Sequence, residues 1–259
     1  MSLVKVHVHE HTGTLVLNRP EKRNALSREL IADLDQALHD LHGQRGVRAV
    51  IVSAAGPAFC AGMDLAEMQA TSKDADALAR WHDDALVYRD LLETMLRFPK
   101  PLIAAVQGPA LAGGLGLVLA CDIVLAAPEA TFGLPEPKRG LVAGVVAPLL
   151  TFRIGGGRAA YAMLTAGTID SDEAHRIGLV HELIKSDQLW VRGQQLAGEC
   201  AQSAPEALLM TKRMLNETIG ETLTTQLAAG AAFSATARTT EAAAEGLSAF
   251  LEKRKPKWP

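Results

Sequence analysis

Short apolar runs that hand over to helices through small residues constrain this chain more than any other feature. "VRAVIVSA" (47–54) is a β-branched run, and the loop "AGPAFCAGMDL" (55–65) follows it. "LIAAVQG" (102–108) is a second run, and "ALAGGLGLVLACDI" (110–123) comes next. Interior glycine costs a helix roughly 0.5–1 kcal/mol relative to alanine. Gly113, Gly114 and Gly116 at the mouth of an apolar helix therefore imply close packing or backbone offered to a ligand. "DIVLAAPEATFG" (122–133) supplies another extended pair. Strands alternating with helices of modest length predict an α/β fold built from repeated β-β-α units, with no strict sequence repeat.

The flanking segments fit around that centre. In residues 1–18, Val4, Val6 and Val8 alternate with Lys5, His7 and His9, which predicts a hairpin turning at Gly13. After the polar loop "NRPEKRNALS", Ser27 caps a predicted helix with Leu30, Ile31, Leu34, Leu38 and Leu41 on one face. Residues 74–98 predict a long helix ended by Pro99 and Pro101. From Pro205 the periodicity is helical as far as Lys255, with no strand signal. The expected division is a core over 1–200 and a helical region over 201–259. That second region is Ala-rich enough to pack closely against a partner, and Phe233, Leu247 and Phe250 give it something to bury.

Composition narrows the class. Of 259 residues, 48% are hydrophobic and 21% charged, enough for a sizeable core, and the net charge of −3 argues against nucleic acid as a partner. Cys60, Cys121 and Cys200 are widely spaced with no CxxC pair, so neither a disulfide framework nor a thiolate zinc site is expected. The opening "MSLVKVHVHEHTG" lacks a signal-peptide core, and no apolar run approaches the ~18 residues of a membrane span. The expectation is a reduced, cytoplasmic protein with no membrane partner.

"FCAGMDL" (59–65) and "ALAGGLG" (110–116) each follow a buried strand and end in small residues that open a helix. A helix start leaves several N–H groups without intrahelical partners. Two such amides aimed at one point make an oxyanion hole, able to hold negative charge on a carbonyl oxygen. Alone, either stretch more often means tight helix–sheet packing than catalysis; the pair shifts the balance toward chemistry.

Together these segments resemble the crotonase, or enoyl-CoA hydratase/isomerase, superfamily. The likeness runs from "LNRPEKRNALS" through "FCAGMDL", "KPLIAAVQGPALAGGLGLVLACDI" and "ATFGLPEPKRGLV" to "GLVHELI" and "GLSAFLEKRKPKW". The resemblance implies a spiral of ββα units with a C-terminal helical trimerisation region. It also implies a trimer or dimer of trimers, and an acyl-CoA thioester substrate that carries its own coenzyme A, with no separate cofactor. Residue by residue, it implies that the Met63 and Gly113 amides form the hole. Substrate contacts would run through Met63, Asp64, Leu65 and Ala66, with the adenine near Ala61, Asp64 and Leu65. Arg23 and the backbone at Ala25 would cradle the nucleotide, and Phe250 and Lys253 would meet coenzyme A from the C-terminus. Ordinary solvated charge explains Arg23, Lys22 and Lys253 equally well.

The family's hydratases place one glutamate in the glycine-rich helix and another in the "PE" turn. Glu136 matches the second, and the first falls at Gly116. A carboxylate at a helix start is favoured by the helix dipole alone. Phe132, Leu134, Pro135 and Pro137 around Glu136 suit a general acid/base of raised pKa. One carboxylate plus the hole serves hydration of a 2-enoyl-CoA or Δ3-Δ2 double-bond isomerisation, and the glycine makes room for a branched or carboxylated acyl chain. The competing classes are a non-catalytic acyl-CoA-binding protein of this fold and an acyl-CoA hydrolase. Among other candidates, His7, His9 and His11 share a strand face, but no acidic or Cys ligand completes a metal set. "RIGGGRAAY" lacks a following GK[ST] and predicts a helix-joining turn, and "GGLG" lacks dinucleotide spacing. His82, Asp83 and Asp84, with Trp81 and Tyr88, lie where this family shapes its acyl pocket. A second acid could come from that region.

Overall fold

A computed structural model describes residues 2–258. Its main sheet has six strands: β1 (Val4–His9), β2 (Thr12–Leu17), β3 (Ala49–Ala54), β4 (Leu102–Val106), β6 (Ile123–Ala126) and β9 (Glu182–Leu183). They lie in that order, antiparallel between β1 and β2 and parallel from β2 onward. A smaller sheet is formed by β5 (Ala110–Leu111), β7 (Thr131–Gly133) and β8 (Thr168–Asp170). Two successive turns of chain each give one strand to the main sheet, one to the small sheet, then a helix: β4, β5 and α4 (Gly113–Leu119), then β6, β7 and α5 (Val146–Ile154). The expected β-β-α repetition is thus the architecture.

Parallel strands covered on both faces read as continuous apolar runs rather than alternating ones, which is why "AVIVSA" and "LIAAV" are apolar throughout. Val50 and Val52 face a core shared with α1 (Arg28–Gly43) and α3 (Ala77–Arg97). Ala49 and Ile51 face α8 (Leu189–Ala201) through Leu189 and Leu196. Ser27 caps α1 by accepting from the Leu30 amide at 3.2 Å, and the five apolar positions of its face are all buried. α3 stops at Arg97, two residues before Pro99.

The first hairpin departs from expectation. Its turn is Glu10–His11, with Glu10 at φ 51°, and Gly13 sits inside β2. Val6 and Val8 are exposed, because β1 is an edge strand that α1 covers only in part. The "RIGGG" stretch joins α5 to α6 (Gly156–Thr165), with Gly155 at φ 80°.

After α8, the chain is helical: α9 (Pro205–Arg213), α10 (Glu221–Ala237) and α11 (Glu241–Leu251). α10 packs along α3, while α11 lies against the turn at Glu136–Arg139. A Cβ on Gly246 would lie 2.2 Å from the Arg139 carbonyl oxygen, so only glycine admits this approach. Gly246 therefore serves a contact within the chain. Among the described residues, no helix is long and apolar enough to cross a membrane.

Candidate active site

Two loops carry the backbone half of the site. Residues 23–26 run beside 61–64, with Ala61 N–H donating to Arg23 O (3.0 Å), Leu26 N–H to Gly62 O (2.8 Å) and Asp64 N–H to Leu26 O (2.9 Å). The second loop is stitched to the first by Cys60 N–H donating to Pro109 O (3.1 Å) and Leu111 N–H to Cys60 O (2.9 Å). Neither the Met63 nor the Gly113 amide has an acceptor among the described residues. They are neighbours in space. Gly62, at φ 93°, is so close to the second loop that a Cβ there would lie 3.3 Å from the Gly113 nitrogen and 2.6 Å from Ala112 Cβ. A Cβ on Gly114 would lie 2.3 Å from the Cys60 carbonyl oxygen. Both glycines are conditions for bringing the two amides together.

Strain appears where the second amide is aimed. Ala112, the residue before α4, holds φ 53° and ψ −127°, a region that non-glycine residues rarely occupy and that costs about 1–3 kcal/mol. At the other end of α4, the Arg153 guanidinium donates to Leu119 O (3.0 Å) and Cys121 O (2.8 Å). A cation there complements the dipole whose positive end faces the free amides.

Asn24 locks this half. It is fully buried in the left-handed region (φ 53°), which asparagine tolerates better than most residues. Its Oδ1 accepts from Arg19 N–H (2.8 Å), and its Nδ2 donates to Ala55 O (2.9 Å) and Ala58 O (3.0 Å). Sequence reasoning passed over it, though a polar residue inside "KRNAL" was a visible signal. Asp64 spends its carboxylate locally: it caps α2 (Leu65–Thr71) by accepting from Ala66 N–H (3.0 Å) and pairs with Arg19 at 2.8 Å.

The acid half is built from side chains. Glu136 opens the short turn Glu136–Arg139 and is only 9% exposed, and its Oε2 has no hydrogen-bond partner among the described residues. Burial pushes its carboxyl up to about 7, against the weaker pull of its own backbone amide and Arg139. Beside it, Tyr88 of α3 is 4% exposed, and its hydroxyl donates to Gly113 O at 2.5 Å. Burial holds that phenol well above its usual range, with smaller contributions from Cys60 and Glu136.

One cavity of about 390 Å³ gathers these parts, within the range of small-molecule sites. Met63, Gly113 and Glu136 line it, as do Arg23, Ala25, Ala61, Asp64, Leu65, Ala66 and Phe250. Lys253 does not. Phe250 lies under the Arg139 guanidinium, 4.5 Å from its ring centre. Val146, Leu141 and Met68 form the apolar wall, with Ser234 and Arg238 contributed by α10. Gly116 leaves no space: a Cβ there would lie 2.1 Å from the Tyr88 hydroxyl oxygen and 3.1 Å from Val146 Cγ2. The expected room for a branched or carboxylated chain at that point is filled by Tyr88.

Other expected groups lie elsewhere. Asp84 is held by Arg28 at 2.6 Å, outside the main cavity, and Trp81 is buried behind it, donating to Met68 O. His9 meets the edge of Trp190, with ring centres 5.9 Å apart.

With this geometry in hand, comparison with known proteins is specific. The family model described as Enoyl-CoA hydratase/isomerase matches residues 9–259. A Thermus thermophilus protein provisionally named an enoyl-CoA hydratase is 38% identical over 248 residues, covering 96% of this chain and 97% of that relative. A mevalonyl-coenzyme A hydratase of Aspergillus fumigatus is 35% identical over 96% of this chain and 91% of its own. Among solved structures, an enoyl-CoA hydratase/isomerase from Xanthobacter autotrophicus Py2 superimposes with a TM-score of 0.89 at 30% identity, covering 100% of this chain and 99% of that one.

Proposed function

Because the chain belongs to the enoyl-CoA hydratase/isomerase family, enzymes of the lyase and isomerase classes, we propose that it adds water across the C2–C3 double bond of a 2-enoyl-CoA thioester, with Glu136 as its one carboxylate. The observation that carries this reading is a buried carboxyl whose Oε2 has no partner among the described residues, in the same cavity as two amides that have no acceptor among them. The thioester oxygen takes the Met63 and Gly113 N–H groups. Their worth lies in the enolate, where negative charge gathers on that oxygen; losing one such donor costs about 10²–10³ in rate.

Glu136 then handles the protons. In its ionised form it takes one from water as the oxygen bonds to C3, and the π electrons move into the thioester to form the enolate. The carboxyl returns a proton to C2. The same group moving a proton from C2 to C4 would convert a 3-enoyl into a 2-enoyl ester, so both reactions call on ionised Glu136. A carboxyl with a pKa near 7 is half ionised at neutral pH and suits both directions of transfer.

Arg23, the Ala25 backbone, Ala61, Asp64, Leu65 and Ala66 we assign to the coenzyme A portion, with Phe250 closing over it. Lys253 is a contact only for parts of the coenzyme outside the cavity. We assign the assembly as a trimer or dimer of trimers, supported by the exposed apolar side chains Phe233, Leu164 and Tyr161; mass measurement in solution tests it. For the reaction, 2-enoyl- and 3-enoyl-CoA esters should be turned over to products located by mass and double-bond position. Free coenzyme A as the product, or thermal stabilisation by esters with no turnover, would replace this reading with a hydrolase or a binding protein.

A further inference from the structure

The hydroxyl of Tyr88 stands where a side chain at Gly116 would begin, and Tyr88 lines the cavity that holds Glu136. We propose that Tyr88 is the positioning residue for the attacking water, a neutral oxygen acting where a second carboxylate would otherwise sit. The inference rests on the hydration reading given above and adds to it the group that orients water.

Hydrogen-bond accounting carries the argument. The Tyr88 proton is committed to Gly113 O at 2.5 Å. The phenolic oxygen therefore has only lone pairs left for any further partner. A water between Tyr88 and Glu136 can donate one hydrogen to each. That leaves its own lone pair free to meet C3 of an ester whose carbonyl oxygen is fixed by the two amides. The water's oxygen bonds to C3, the hydrogen pointing at Glu136 moves to that carboxylate, and Glu136 later delivers a proton to C2. The hydrogen pointing at Tyr88 stays on the new hydroxyl, so Tyr88 itself neither gains nor loses a proton and nothing is oxidised or reduced.

The same geometry makes Tyr88 and a residue-116 side chain mutually exclusive. Gly116 lies in α4 and Tyr88 in α3, and the 2.1 Å approach leaves no room for a Cβ while the hydroxyl is present. The glycine is thus the counterpart of the tyrosine rather than a gap in the site.

Tyr88→Phe removes only the hydroxyl. Hydration of a 2-enoyl-CoA should fall about 10–100-fold in kcat with KM changed less than threefold. Conversion of a 3-enoyl to a 2-enoyl ester, which uses no water, should fall at least tenfold less. The pH profile should keep the single ionisation of Glu136. Equal losses in both reactions would mean a structural role alone, and undiminished hydration would mean no role; either overturns the proposal. Glu136→Gln tests the underlying reading separately, because it should remove both reactions together. A second pair of variants reads stability rather than rate. Gly116→Glu should lower Tm sharply in the wild-type background and much less in the Tyr88→Ala background. Equal cost in both backgrounds would overturn the claim that the two side chains share one place.

Discussion

The two halves of the cavity are held in different ways. The amide half is backbone throughout: residues 23–26, 60–64 and 110–113 are tied by main-chain hydrogen bonds and pressed together at Gly62 and Gly114. The acid half consists of side chains, Glu136 and Tyr88, delivered by a turn and a helix far apart in sequence and fixed by packing. Backbone donors cost no reorganisation when charge develops on the substrate, and they have no side chain to substitute. A side chain can be exchanged, and under the proposed mechanism exchange changes which reaction follows the enolate. Under the proposed function, one half sets what every substrate must present, a thioester oxygen, and the other sets what is done to its carbon skeleton.

The sharpest way to break the acid half is Glu136→Gln. Turnover should fall by about 10²–10⁴, while stabilisation by acyl-CoA esters in a thermal-shift assay persists. In the unaltered enzyme kcat/KM should decline as pH drops below about 7, where the carboxyl takes up its proton. A flat profile from pH 5 to 8 would remove Glu136 from the mechanism.

The amide half should break differently. Gly114→Ala forces the Cys60 carbonyl away and separates the two amides; kcat should fall about 10²–10³-fold in both hydration and isomerisation. Because the amide half serves any thioester, the ratio of the two reactions should stay constant. A variant that loses one reaction selectively would blur the division between the halves.

Legibility in sequence follows the same line. The amide half was readable because its signals are local: a strand, small residues and a helix start within a few positions. Tyr88 was visible only as one residue of the region that shapes a pocket, since its bond to Gly113 spans 25 positions and exists only because the side chain reaches from α3 to the start of α4. The glycine at 116 was legible as a departure from the family's pattern, and its cause was not, because a vacancy in sequence says nothing of what packing brings to fill it. At the periphery, the hairpin was legible from valine alternation, but its turn was not: it falls at Glu10–His11 rather than at Gly13.

Stability gives a third comparison. The Glu136 carboxyl has a pKa near 7 in the folded chain against an ordinary 4.5, so it binds its proton more tightly when folded. The fold therefore loses stability as pH rises from about 4.5 through 7. Glu136→Gln should be more stable than the parent at pH 8 by up to about 3 kcal/mol and equal to it near pH 4, read from denaturant midpoints. No comparable gain is expected on the amide half, where backbone groups do not titrate.

The smallest effect concerns the rim. Phe250→Ala removes the ring beneath Arg139, a contact worth about 0.5–1 kcal/mol at a partly exposed site. Ester affinity should weaken only a few-fold, with kcat unaltered; a large fall in kcat would draw the rim into the acid half.

The close seating of α11 on the turn at Glu136 has a consequence in time. A chain made from its N-terminus has both amide loops well before residues 241–251 exist, and domains fold as their segments emerge. The pair of amides can form early, but the turn that carries the acid lacks its packing partner until the last helix arrives and Gly246 settles on Arg139. Competence is acquired at the end of synthesis, so a chain cut short after α10 should hold a thioester oxygen and do nothing to the carbons beside it.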